Sequence, residues 1–67
     1  MIRLTINGEA RTLDAPQSVG AYLAALGFDR RYIAVAHNGE VVERGAFDSV
    51  RLEDGDRVEI VRPVGGG

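Results

Sequence analysis

The sequence contains no cysteine and no lysine, and it has no apolar run longer than a few residues. Each absence closes off a class of protein. Without cysteine there is neither a disulfide framework nor a thiolate metal site, so the fold must hold by packing alone, which suits a reducing cytosol. Without a long apolar run there is no segment that reads as a membrane span. The opening MIRLTINGEA alternates where a signal peptide would be continuously apolar, so a soluble, untargeted, cytoplasmic chain is expected. An excess of one charge sign is also missing. Eight basic and ten acidic residues leave a net charge of -2, and the signs are interspersed. With no basic stripe, nucleic acid is a poor candidate partner, and no membrane partner is expected. Size is the last shortage. A chain of 67 residues has room for one small core and none for an enclosed cleft, which argues against a self-contained enzyme.

What is present is a regular alternation of apolar and polar residues, punctuated by turns. Ile2, Leu4 and Ile6 alternate with Arg3 and Thr5, the period of a strand with one buried face, so a first strand is expected over 1–6. Asn7-Gly8 follows, a dipeptide suited to the positive φ angles of a type I′ hairpin turn, and a second strand should run through about Leu13. Pro16 moves Ala15 away from helical geometry, and Ser18 stands ready to cap a first turn. Val19, Tyr22, Leu23 and Leu26 then form one helical stripe, and Gly27 can take a left-handed cap, so a helix is expected over 18–26. Ile33 to His37 reads as a third strand leading into a second Asn-Gly at Asn38-Gly39, with Val41 and Val42 beyond it. An irregular stretch holds Phe47. Val50 and Leu52 alternate, Asp54-Gly55-Asp56 turns the chain, and Val58 and Ile60 alternate within a final strand over 57–62. Pro63, lacking an N–H, separates that strand from the tail.

This order gives an α+β chain: a mixed sheet of about five strands with one main helix on one face, the β-grasp (ubiquitin-like) architecture. Residues 1–62 are expected to form one domain and 63–67 a flexible C-terminal glycine tail. The expected core packs the helix stripe against Ile2, Leu4, Val35, Leu52, Val58 and Ile60.

Few side chains offer chemistry. His37 is the only histidine, and with no second histidine or cysteine it is expected to be an ordinary surface residue. Asp54-Gly55-Asp56 lacks the later ligands of a calcium loop and reads as a turn. No Ser/His/Asp arrangement can be assembled, and Glu40, Glu43 and Glu53 read as solvated. The terminus remains. RPVGGG cannot pack, but five residues from Pro63 to Gly67 reach roughly 17 Å when extended, enough to carry the Gly67 carboxylate into a partner's site. A carboxylate is an anion at neutral pH and resists nucleophiles, so it needs activation, and AMP transfer from ATP would supply a leaving group. The chain would then be the substrate of another enzyme.

The segments MIRLTING, NGEVV, LEDGD and above all the ending DRVEIVRPVGGG resemble the ThiS family, the small ubiquitin-like sulfur carriers of bacterial thiamine biosynthesis. The resemblance covers the whole chain. It implies a β-grasp fold and a carrier that is not itself an enzyme. An E1-like, ThiF-like adenylyltransferase would adenylate Gly67, using ATP and Mg²⁺ on the partner, since this chain is expected to bind no cofactor and no metal. Sulfur from a cysteine desulfurase or another donor would replace AMP, and the Gly67 thiocarboxylate would deliver sulfide to a ThiG-like thiazole synthase. Gly66 would be the slender neighbour, and Gly65 has no separate role.

Alternatives stay open at this point. The small subunit of molybdopterin synthase shares the fold and the paired glycines but is usually longer, and other thiocarboxylate carriers remain. A ubiquitin-like protein modifier could not form chains through lysines that are absent. A passive interaction domain with an inert glycine tail is the plainest reading. The lack of lysine admits two accounts: a general bias toward arginine, or a surface that offers no neutral amine to an activated carboxyl end.

Overall fold

A computed structural model describes residues 1–62 of the 67; Pro63 to Gly67, and with them the expected tail and the site glycines Gly66 and Gly67, lie outside the described residues. The first hairpin pairs β1 (Ile2–Ile6) with β2 (Glu9–Leu13) antiparallel. Its turn has φ of 53° at Asn7 and 82° at Gly8, the two positive values that a type I′ turn requires. Asn38 and Gly39, at 51° and 87°, repeat this turn between β4 (Ala34–His37) and β5 (Glu40–Val42). Both turns match the sequence reading.

A short strand, β3 (Gln17–Ser18), enters the helix α1 (Val19–Ala25) and pairs with the equally short β6 (Arg51–Leu52). The helix is one residue shorter at each end than its stripe predicts. Ser18 is its cap: the backbone is extended there, and the hydroxyl accepts from the Ala21 N–H at 3.0 Å. At the other end the chain turns left-handed at Gly27, and the Phe28 N–H bonds back to the Leu23 carbonyl at 3.0 Å.

The last strand, β7 (Arg57–Val61), lies in the middle of the sheet, whose order is β2-β1-β7-β4-β5. It runs parallel to β1 and antiparallel to β4. One helix packed on one face of this mixed sheet is the β-grasp architecture. No helix among the described residues is long and apolar enough to cross a membrane.

The core is Ile2, Leu4, Ile6, Val19, Leu23, Ile33, Val35, Phe47, Leu52 and Val58. It departs from the expected set in an instructive way. Ile60 and Tyr22 are only half-buried, and Leu26 is 48% exposed, because the helix ends before its last stripe position is covered. Phe47 joins the core at the other end of the helix, where its carbonyl accepts from the Gly20 N–H at 3.0 Å. It is 1% exposed and arrives from a 3₁₀ turn at Arg44–Ala46, in a stretch whose sequence has no period. Gly20 is buried beneath the Arg30–Asp48 ion pair, and a Cβ there would displace the two side-chain ends. The Arg30 guanidinium also stacks over the Phe47 ring at 5.6 Å.

Candidate functional site

The resemblance assigns the chemistry to Gly66 and Gly67, so what the described residues define is the strand leading to them. Period-2 alternation sorts β7 cleanly: Val58 is buried and Ile60 half-buried toward the helix, while Arg57, Glu59 and Val61 are exposed on the opposite face. Register extends that exposed face across the sheet. Ala34 lies opposite Val61, Ala36 opposite Glu59 and, one strand further, Val41 opposite Ala36. Val41 is 82% exposed and Val61 55%, so with Ala34 and Ala36 they make an apolar patch on the side of β4 and β5. The β1 side is polar, with Arg3, Thr5 and Thr12 on the same face. Among the described residues, neither Arg57 nor Glu59 belongs to an ion pair.

Two asparagines hold this strand in place. Asn7 accepts from the Ile60 N–H through Oδ1 at 2.8 Å and donates through Nδ2 to the Ile60 carbonyl at 3.1 Å. Its side chain thus continues the β1 ladder past the hairpin turn. Asn38 grips the start of β7: its Oδ1 accepts from the Arg57 N–H at 2.8 Å, and its own N–H donates to the Arg57 carbonyl at 2.7 Å. The sequence marks these residues as turn formers only. Their second task depends on a strand that is 53 residues away from Asn7 and 19 from Asn38.

Asp56 is the third anchor. Its carboxylate accepts from the Glu53 N–H at 2.8 Å and from Asn38 Nδ2 at 3.2 Å, and it contacts His37 Nε2 at 2.7 Å. Burial pushes this carboxyl up, but the hydrogen bonds from His37, Glu53 and Asn38 outweigh burial and hold it below the usual aspartate value. His37 is therefore not the unpartnered surface residue expected from the sequence. It is half-buried, and it ties the end of β4 to the Asp54-Gly55-Asp56 turn. That turn also fastens to β1, since Asp54 Oδ1 accepts from the Arg3 N–H at 2.8 Å. Both carboxylate oxygens of Asp56 and Nε2 of His37 are thus engaged in structural contacts. Among the described residues no group of histidine, cysteine or carboxylate side chains is placed to hold a metal ion.

At the far end of β7, Arg62 is exposed and its guanidinium lies 5.5 Å from the Phe28 ring on the helix side. The root of the tail is therefore flanked by a cation on one face of the sheet and by the Val61 patch on the other.

Comparison with known proteins gives concordant results. A model of the ThiS family matches residues 4–67. The thiazole synthase of Paramagnetospirillum magneticum is 44% identical over 66 residues, which are 98% of this chain and 20% of that protein. The thiazole synthase of Magnetococcus marinus is 35% identical over the same share of each. The chain thus spans about a fifth of the length of these relatives. The crystal structure of the thiamine biosynthesis protein (ThiS) from Geobacter metallireducens is 42% identical, with a TM-score of 0.84, covering 98% of this chain and 100% of that one.

Proposed function

Because the chain belongs to the ThiS family, we propose that it is a sulfur carrier of thiamine biosynthesis whose working group is the Gly67 carboxylate. The observation that carries this reading is the extent of the family match, which runs to residue 67 and so takes in the terminal glycines. In this reading an E1-like adenylyltransferase supplies ATP and Mg²⁺. A Gly67 carboxylate oxygen attacks the α-phosphorus, pyrophosphate leaves, and the carbonyl becomes an acyl adenylate. A desulfurase persulfide then attacks the acyl carbon and displaces AMP, leaving an acyl disulfide. A thiol reductant cleaves its S–S bond, itself ending as a disulfide and releasing the Gly67 thiocarboxylate, the form that donates sulfur. The chain contributes the carboxylate and the surface by which each enzyme recognises it.

The relatives support thiazole synthase as the acceptor. In the Paramagnetospirillum and Magnetococcus proteins a region similar to this chain is part of one polypeptide that bears the name thiazole synthase. Covalent union of a carrier with its acceptor raises their effective concentration, which is useful only if the two must meet. The family match also favours the thiamine pathway over the molybdopterin alternative.

Intact-mass spectrometry of the protein from its native host tests the reading. Part of the population should be heavier by the difference between one sulfur and one oxygen, with the change confined to the C-terminal peptide. Deleting Gly67 should abolish ATP-dependent adenylation by the cognate enzyme. Equal adenylation of the truncated and intact chains would sink the proposal.

A further inference from the structure

Among the described residues the sheet leaves two edges unpaired, and they differ. β5 has three residues, while β2 has five, of which Glu9 to Thr12 are exposed. In a hairpin closed by a two-residue turn, the pair flanking the turn exchanges both backbone hydrogen bonds, and so does every second pair beyond it. Ile6–Glu9, Leu4–Arg11 and Ile2–Leu13 are therefore the bonded pairs. The N–H and C=O groups of Ala10 and Thr12 face away from β1, along the free edge. The bonds on the other side of β1 obey the same alternation: the Thr5 N–H donates to the Asp56 carbonyl at 2.9 Å, and the Arg3 carbonyl accepts from Gly55 at 2.7 Å.

Beside this edge runs a groove of about 590 Å³ between β2 and the C-terminal end of α1. Tyr22, Leu26, Phe28 and Ile60 give it an apolar lining, and Leu26 is the half-exposed residue that the core leaves uncovered. Its rim carries Glu9 and Arg11 from β2 and Arg62 from the root of the tail. Arg11 is paired with Glu9 at 2.7 Å, so among the described residues the rim has one positive charge in excess. An extended segment bonded to Ala10 and Thr12 would set every second side chain on the face shared by Glu9, Arg11 and Leu13, which is the face over the groove. Backbone groups at the edge, an apolar trough beside it and a cationic rim specify one kind of occupant.

We propose that the free edge of β2 and the groove beside α1 form a docking site for an extended segment of a partner protein. The segment joins the sheet as a sixth strand, places apolar side chains on alternate positions in the groove, and carries an acidic residue toward Arg62. The site lies on the helix side of the sheet, away from the Val41 and Val61 patch, and it does not depend on the chemistry of Gly67.

The probe is an acetylated, amidated heptapeptide, Asp-Ile-Thr-Val-Thr-Leu-Asp, titrated into the ¹⁵N-labelled full chain. The amide resonances of Ala10 and Thr12 should shift, and their hydrogen exchange should slow by about tenfold or more at saturation. Thr12→Pro removes one edge N–H at a position where proline is tolerated, and Leu26→Asp places a charge at a half-exposed site. Each should weaken binding by about tenfold or more, while Val61→Asp leaves it unchanged. A peptide methylated on the backbone nitrogens that face β2 should not bind. The proposal is overturned by shifts centred on Val41 and Val61, by equal binding of the methylated peptide, or by no shift at about 1 mM probe. A concentration-dependent dimer with the same Ala10 and Thr12 protection and no peptide added would also overturn it, giving the edge to a second copy; unaltered exchange throughout would leave the Glu9–Arg11 pair as a guard against pairing.

Discussion

Asn7 and Asn38 each meet two demands, a positive φ in a turn and a side chain that bonds to β7. Glycine can satisfy the first demand and not the second, so substitution separates them. Asn7→Gly should lose both bonds to Ile60 and destabilise the chain by about 1–3 kcal/mol in urea unfolding. Asn7→Asp keeps the acceptor and loses the donor, so it should fall between that variant and the parent. Acid reaches the same neighbourhood through Asp56. Its carboxyl sits below the ordinary value of 3.8, so the folded chain binds fewer protons there than the unfolded chain. The stability it contributes is present above that value and is lost as the pH falls through the lower folded value. Asp29 acts in the same direction: hydrogen bonds from the Arg31 side chain and N–H bring it to about 2. Stability should therefore decline as the pH falls from 3.8, through about 2 for Asp29, and Asp56→Asn should make that decline shallower. A set of urea midpoints at closely spaced pH values checks the slope.

At the scale of the element, β7 divides its residues between two tasks. Val58 and Ile60 secure it to the helix side, which frees Arg57, Glu59 and Val61 to meet a partner. In the sulfur-carrier reading, this face docks on the adenylyltransferase while the tail enters its site. Arg57→Glu combined with Val61→Asp should weaken that complex by about tenfold or more in calorimetry, with thermal unfolding close to the parent because both positions are exposed. Unchanged affinity would move the docking face elsewhere. The parity of β7 was legible in the sequence because an alternating strand with one buried face leaves that mark on its residues. So were both hairpin turns, since few dipeptides accept two positive φ angles. Phe47 was not legible, because it reaches the core from a 3₁₀ turn that carries no periodic signal. Leu26 fits the helical stripe by spacing, yet the turn at Gly27 carries the chain away before anything covers it. The two residues of β3 are too few for any alternation to reveal, whereas its partner β6 lies within the alternation of Val50 and Leu52. His37 and Asp56 stand 19 positions apart, and only the pairing of β4 with β7 brings them to 2.7 Å. The role of Gly67 was read from resemblance, because a glycine side chain has nothing to show.

At the scale of the molecule, the governing fact is that the first and last strands are neighbours at the centre of the sheet, with Thr5 beside Arg57 and Ile6 beside Val58. Without β7 the two hairpins have no strand between them, and the helix has half a sheet to cover. A chain cut after Asp56 should show no cooperative melting by circular dichroism, whereas one cut after Arg62 should melt like the parent. The same arrangement orders events during synthesis. Contacts between residues so distant in sequence carry the largest closure cost and form late, so no partial chain has a native core to retreat to. While the ribosome still holds the last strand in its exit tunnel, the emerged hairpins wait unassembled. An enzyme that recognises the assembled sheet would therefore find its target only on molecules whose β7 has already emerged.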